Sequence, residues 1–126
     1  MKTRFIINPI SGTGKQKGIE NYISKNFDNY DLFFTKKSGH AKILANQAVL
    51  DNINLLVVIG GDGTINECLE PLVNSNTILF MIPCGSGNGF AKHLAIDTNI
   101  KKALTSIENS SIKLVDIGFV NNQLDT

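Results

Sequence analysis

The chain of 126 residues suits one domain of ordinary size, and a hydrophobic content of 42% is enough to bury a core. Twelve basic and eleven acidic residues nearly cancel, and the absence of a basic arm or stripe argues against a nucleic-acid partner. The sequence shows no signal-peptide segment and no apolar run long enough to span a bilayer, so a cytoplasmic protein with reduced cysteines is expected.

The hydrophobic pattern predicts strands and helices that alternate along the whole chain. The predicted strands are 4–8, 31–35, 54–60, 77–83 and 112–120. The predicted helices are 15–27, 38–50, 64–75, 90–96 and 99–109, with Pro71 ending or kinking the third. Because such alternation is typical of βαβ units, the predicted fold class is a three-layer α/β domain: a mostly parallel sheet with helices on both faces.

Glycines concentrate in three loops that each follow a predicted strand and precede a helix. These are Gly12 and Gly14; Gly60, Gly61 and Gly63; and Gly85, Gly87 and Gly89. In a parallel sheet such loops share the carboxyl edge, where open α/β proteins bind their ligands. Glycine lets the backbone approach a ligand closely, and the following helix start offers N–H groups to an anion. Three such loops indicate a phosphate-bearing ligand, although a tight turn alone would explain any one of them.

Two common nucleotide motifs are excluded. The stretch "SGTGKQ" resembles the end of a P-loop, but Pro9 occupies the first glycine position and Gln16 replaces Ser or Thr. The stretch "GSGNGF" breaks a dinucleotide-binding GxGxxG pattern at Phe90.

The acid in "GGDGTINE" is Asp62, a lone carboxylate among glycines. Beside phosphates it would be repulsive unless a cation intervenes, so it is a candidate Mg²⁺ ligand; a ribose or adenine partner and an Asx turn are the alternatives. Thr64 and Glu67 also fit a T-x-x-E capping box, which would use both side chains to start the helix. Asn66, in the predicted first turn, could face either solvent or ligand.

The remaining polar candidates carry less information. His40 and His93 are predicted to be structural, since neither has a visible catalytic partner. Lys15 fits a phosphate ligand and a solvated helix start equally well. Cys68 and Cys84 lack metal-binding spacing and are predicted to be partly buried thiols.

Three motifs in order, "NPISG" (8–12), "GGDGTINE" (60–67) and "PCGSGN" (83–88), resemble the catalytic domain of the diacylglycerol kinase and sphingosine kinase family. The resemblance covers essentially the whole chain, including "KLVDIG" at 113–118. The middle motif alone is less specific, because NAD kinases share it. The two flanking motifs favour a lipid kinase.

The resemblance implies the fold of the N-terminal domain of NAD kinases and diacylglycerol kinases. It also implies ATP and Mg²⁺ as cofactors and transfer of the γ-phosphate to the hydroxyl of a diacylglycerol-like or sphingoid-like lipid. Asp62 is implied as the catalytic residue and as a metal ligand. The implied nucleotide-binding residues are Asn8, Pro9, Ser11, Gly12, Thr35, Gly60, Gly61, Asp62, Gly63, Thr64, Asn66, Glu67 and Ser86.

The sequence departs from the family pattern in two respects. Gly89 stands where many bacterial members have an aspartate that helps a metal site. Family members also continue into a β-rich domain that holds the lipid pocket and the proposed general base. Residues 1–126 are therefore expected to be a nucleotide-binding domain truncated before that lipid-binding domain. Its expected location is peripheral to the inner face of the membrane, with transient membrane contact. The sequence does not give the oligomeric state, and a homodimer formed through the uncovered docking face would be artificial.

Two other functions stay open on the sequence. One is an NAD kinase-like enzyme with a ribose hydroxyl as acceptor, against which the "NPISG" opening speaks. The other is a non-catalytic nucleotide-binding regulatory module, which Gly89 and the expected lack of a second domain keep open.

Overall fold

The computed structural model describes residues 2–9, 15–83 and 98–108, in which strands and helices alternate. The elements are β1 (Thr3–Ile7), α1 (Lys15–Asn26), β2 (Tyr30–Phe34), α2 (His40–Leu50), β3 (Leu55–Gly60), α3 (Asp62–Leu72), β4 (Ile78–Pro83) and α4 (Thr98–Glu108). The predicted helix 90–96 and strand 112–120 lie outside the described residues, as do the first and third glycine loops.

The four described strands form one parallel sheet in the order β2-β1-β3-β4. In the register of the central strands, Phe5 of β1 lies opposite Leu32 of β2 and Val57 of β3. All strand ends therefore meet at one carboxyl edge, and the predicted α/β fold class is confirmed.

Each face of the sheet carries its own core. Phe5 and Val57 pack on the side of α1 and α4, whereas Ile6 and Val58 pack on the side of α2 and α3. Every residue of β3 is buried, as its unbroken apolar sequence predicts for a central parallel strand. The result is three layers, with helices on both faces of the sheet.

The third helix begins earlier than predicted. Gly61 has an extended backbone (φ −80°, ψ −177°) and is the N-cap, so Asp62 is the first helical residue. Asn66 consequently lies in the second turn rather than the first. Pro71 lies inside the helix, which ends one residue later at Leu72, in line with the expected effect of a proline that cannot donate to the preceding turn.

Near the amino edge of the sheet, Arg4 is buried between two acids. Its guanidinium donates to Asp31 at 2.8 Å and to Asp51 at 2.9 Å, and it lies 5.2 Å from the centre of the Phe33 ring. These contacts join β1 and β2 to the end of α2, and they lie away from the carboxyl edge of the sheet. None of the described helices combines the length and the apolar character needed to cross a membrane.

Candidate functional site

The segments that follow three strands meet at the carboxyl edge through one side-chain amide. The Asn8 Nδ2 donates to Thr64 Oγ1 at 3.1 Å, and Thr35 Oγ1 donates to Asn8 Oδ1 at 3.3 Å. The backbone amides of Asn8 and Thr35 continue the sheet, donating to the carbonyl oxygens of Ile59 and Ile7, each at 2.9 Å. The amide of Asn8 is therefore held at both of its ends, and its orientation is fixed by the ends of three strands.

Close packing explains one glycine of the second loop. A Cβ placed on Gly60 would lie 3.0 Å from Thr64 Cβ and 3.2 Å from Asn8 Cβ, so these neighbours would have to shift to accommodate it. Gly63 is different, because a Cβ there would meet no atom within 4 Å. Packing within the protein thus favours glycine at position 60, whereas the small residue at position 63 leaves open space at the helix start.

The predicted capping box is wrong. No side chain caps α3 at Gly61; instead, Thr64 Oγ1 accepts from Asn8, and Glu67 Oε2 accepts from the backbone N–H of Gly39 at 3.0 Å. The reason is that Gly61 takes the N-cap position, which leaves Thr64 and Glu67 inside the helix. Within the described part of the chain, no side-chain hydrogen bond therefore caps this helix start, and an uncapped helix start is suited to binding an anion.

A cleft of about 430 Å³ opens along this edge. The described residues that line it are Asn8, Pro9, Thr35, Lys36, Lys37, Ser38, Ala41, Gly63, Thr64 and Glu67. Six of these were predicted as site residues: Asn8, Pro9, Thr35, Gly63, Thr64 and Glu67.

The other predicted site residues divide into two groups. Gly60, Gly61, Asp62 and Asn66 are described but do not line the cleft. Asp62 is exposed at the first position of α3, and Asn66 is exposed one turn further on. Ser11, Gly12 and Ser86 lie outside the described residues, as do His93, Cys84 and Gly89.

Sequence reasoning missed the residues between β2 and α2 that line the cleft. Lys36, Lys37 and Ser38 are all exposed and follow directly on Thr35. The two adjacent lysines give this wall of the cleft positive charge. The signal was present in "TKKSG", since cations just after a strand end and before a helix lie at the ligand-binding edge of a parallel sheet.

His40 and Cys68 both have structural roles beside the cleft. His40 Nδ1 accepts a hydrogen bond from the backbone N–H of Lys36 at 2.9 Å. Cys68 is fully buried between α2 and α3, and its thiol donates to the carbonyl oxygen of Ala41 at 3.8 Å. Burial, aided by the nearby Glu67 carboxylate, raises the pKa of the Cys68 thiol to about 12. A thiol this far from ionisation is a poor nucleophile.

Over residues 2–9, 15–83 and 98–108, no group of three His, Cys, Asp or Glu side chains is arranged to hold a metal ion. A metal at this edge would therefore need ligands beyond the side chains of the described residues. Phosphate oxygens and water supply most of the ligands in many Mg²⁺ sites, where the protein adds one or two carboxylates.

Comparison with known proteins gives a consistent result. The sequence profile of the diacylglycerol kinase catalytic domain matches residues 2–120. A diacylglycerol kinase from Bacillus subtilis (strain 168) is 37% identical over 130 residues, covering 97% of this chain and 43% of the relative. One from Staphylococcus aureus (strain JH9) is 33% identical over 128 residues, covering 97% of this chain and 41% of the relative.

The same similarity is found among solved structures. The crystal structure of a diacylglycerol kinase from Bacillus anthracis str. Sterne matches with a TM-score of 0.63 and 27% identity. The match covers 85% of this chain and 41% of the other. The chain thus spans less than half the length of these relatives.

Proposed function

Because the chain belongs to the family of diacylglycerol kinase catalytic domains, we propose that it binds ATP with Mg²⁺ in the cleft at the carboxyl edge of the sheet. The γ-phosphate is then transferred to the hydroxyl of a lipid such as a diacylglycerol. Family membership confirms the resemblance inferred from the three motifs, and it favours this reaction over transfer to the ribose of NAD.

The observation that carries the proposal is the uncapped start of α3 beside the Asn8–Thr64 pair. Phosphoryl transfer demands positioning and charge neutralisation far more than covalent chemistry. The first-turn N–H groups, which no side chain of the described residues caps, and the open space at Gly63 suit a phosphate. Lys36 and Lys37 add positive charge on the opposite wall. A polyphosphate chain is the ligand that uses all of these features together.

The donor set also fits a magnesium ion carried in by the nucleotide. Asp62 is an exposed carboxylate at the first position of α3, next to the glycine that lines the cleft. Mg²⁺ commonly takes one or two carboxylates and completes its six ligands with phosphate oxygens and water. Such an ion would neutralise phosphate charge, and Asp62 would hold it near the helix start. This role also explains a carboxylate beside an anion site.

We expect the pocket for the lipid acceptor, and the general base, in the part of the relatives' length that this chain does not match. Residues 1–126 would then supply the nucleotide-binding domain, and a β-rich domain would supply the lipid site. A cytoplasmic enzyme that meets the inner face of the membrane transiently is the corresponding cellular arrangement.

The first test is a calorimetric titration of the chain with Mg-ATP and, separately, with NAD. We expect saturable one-to-one binding of Mg-ATP and weaker or undetectable binding of NAD. Tight binding of NAD without a response to ATP would overturn the proposal and favour an NAD kinase-like enzyme. If ATP binds but a chain as long as the relatives transfers no phosphate to diacylglycerol, a regulatory nucleotide-binding module becomes the better conclusion.

A further inference from the structure

One wall of the cleft is a short segment without regular structure. Residues 36–39, here called the 36–39 segment, connect Thr35, the residue after β2, to the start of α2. Lys36, Lys37 and Ser38 line the cleft together with Gly63, Thr64 and Glu67 of α3. The width of the cleft therefore depends on how this segment is held against α3.

The backbone of the 36–39 segment is held by two side chains rather than by a neighbouring strand. The N–H of Lys36 donates to His40 Nδ1 at 2.9 Å, which is a contact within the same stretch of chain. The N–H of Gly39 donates to Glu67 Oε2 at 3.0 Å, which reaches across to α3. Gly39 has φ +88°, a left-handed conformation that favours glycine. The segment thus keeps one defined shape, and a carboxylate fixes it to the opposite wall.

We propose that Glu67 is a positioning residue, whose carboxylate ties Gly39 to α3 and so sets the width of the cleft before the nucleotide arrives. A hydrogen bond to an ionised acceptor is stronger than one between neutral groups. Without it, the described hydrogen bonds of the segment would all be local: Lys36 N–H to His40, His40 N–H to the Lys37 carbonyl and Ile43 N–H to the Gly39 carbonyl. The segment would then sample other positions. A ligand that needs the segment in its original position then binds more weakly, because only a fraction of the molecules hold the segment there.

A second link between α2 and α3 supplies the matched control. Lys42 and Glu70 form an ion pair at 2.8 Å, and both side chains are well exposed and do not line the cleft. Glu70 lies on the same helix as Glu67 and also reaches to α2. Glu70→Ala therefore removes an α2–α3 contact and a negative charge while the tie to Gly39 is kept.

The experiment measures amide hydrogen exchange at Gly39 by NMR in the nucleotide-free chain, together with the Kd for Mg-ATP. Glu67→Ala is expected to raise the exchange rate of the Gly39 amide about tenfold, the value for losing one hydrogen bond to a charged acceptor. The Kd should rise in the same variant. Glu67→Gln should stay within about threefold of the wild type in both, because its carbonyl oxygen still accepts. Glu70→Ala should change neither.

Two results would overturn the positioning role. One is unchanged exchange at Gly39 in Glu67→Ala with a weaker Kd, which would mean that Glu67 touches the nucleotide itself. The other is faster exchange with an unchanged Kd, which would mean that the tie does not control the cleft. Should Glu67→Ala not fold, Glu67→Asp carries the same test, since it keeps the charge and shortens the reach.

This inference uses the proposed function only for its affinity readout. If the wild-type chain does not bind Mg-ATP, the proposed function fails by itself. The exchange rate at Gly39 still reports then whether Glu67 holds the 36–39 segment. The failure of one proposal is thus distinguishable from the failure of the other.

Discussion

Asn8 and Thr64 are 56 residues apart in the sequence, yet the amide of the first donates to the hydroxyl of the second at 3.1 Å. Because Asn8 also accepts from Thr35, the segments that follow β1, β2 and β3 converge on one side chain. An asparagine amide has a donor end and an acceptor end, and both are used here. This contact therefore couples the first motif of the chain to the second, and both residues line the cleft.

Asn8→Asp should weaken Mg-ATP binding by tenfold or more. The Thr64 hydroxyl can turn and donate to the new carboxylate, so the contact and the fold are kept. The added negative charge would lie close to the phosphates, and two like charges 4 Å apart repel by about 1 to 4 kcal/mol near a protein surface. Calorimetric Kd values for Asn8→Asp, Asn8→Ala and Asn46→Asp test this, with Asn46 an exposed α2 residue that does not line the cleft. Equal affinity in Asn8→Asp and wild type would show that no phosphate binds near Asn8.

Two alanine substitutions in one loop should separate folding from binding. Gly60→Ala should lower the free energy of unfolding by about 1–3 kcal/mol, because its Cβ would lie 3.0 Å from Thr64 Cβ. Gly63→Ala should leave stability unchanged or raise it by about 0.5–1 kcal/mol, because alanine favours a helix and has room there. Its methyl group would occupy space at the cleft, so nucleotide affinity should still fall. Urea unfolding and calorimetry test both variants; full affinity in Gly63→Ala would mean that the ligand does not approach this residue.

The order of the eight described elements and the three layers could be predicted because they depend on local patterns. The unbroken apolar run of β3 marks a central strand, and the loops rich in glycine mark the edge where ligands bind. The roles of Thr64 and Glu67 could not be predicted in the same way. Their partners, Asn8 and Gly39, lie 56 and 28 residues away, and a local capping pattern gives no sign of such contacts.

The sequence motifs also gave no indication that the 36–39 segment lines the cleft. Lys36 and Lys37 belong to none of the three motifs, and they line the cleft only because β2 lies beside β1 in the sheet. Asp62 is the reverse case. The motif makes it the most prominent residue of the site, while the structure has it exposed at the helix start and outside the cleft lining.

Acid should destabilise the chain through the buried Arg4. Hydrogen bonds from its guanidinium hold the pKa of Asp31 and that of Asp51 below their ordinary values. Since the pKa values of these two carboxyls are lower in the folded chain than in the unfolded chain, protons bind preferentially to the unfolded chain. The stabilisation is therefore present above about pH 4, the ordinary value for aspartate, and is lost as the pH falls through the folded values.

Urea midpoints measured from pH 7 to pH 3 in wild type and Arg4→Met test this assignment. The wild type should lose stability steeply below about pH 4, and the variant, which has no guanidinium to pair, should lose less over the same interval. Curves that fall in parallel would mean that other carboxylates control the acid response.

Asp62→Asn should abolish the effect of Mg²⁺ on ATP binding while the fold is kept. In the wild type, ATP should bind more tightly with Mg²⁺ than with EDTA, because the cation screens the carboxylate from the phosphates. In the variant the repulsion is absent, so ATP affinity in EDTA should equal or exceed that of the wild type, and added Mg²⁺ should bring little gain. The loss of an acid from the first turn of α3 should cost only about 0.3–1 kcal/mol of stability.

Asp28→Asn, an exposed site in the turn before β2, is the matched control and should keep the wild-type response to Mg²⁺. If Mg²⁺ still tightened ATP binding in Asp62→Asn as much as in the wild type, the cation would be held without this carboxylate. Asp62 would then serve only to stabilise the start of α3.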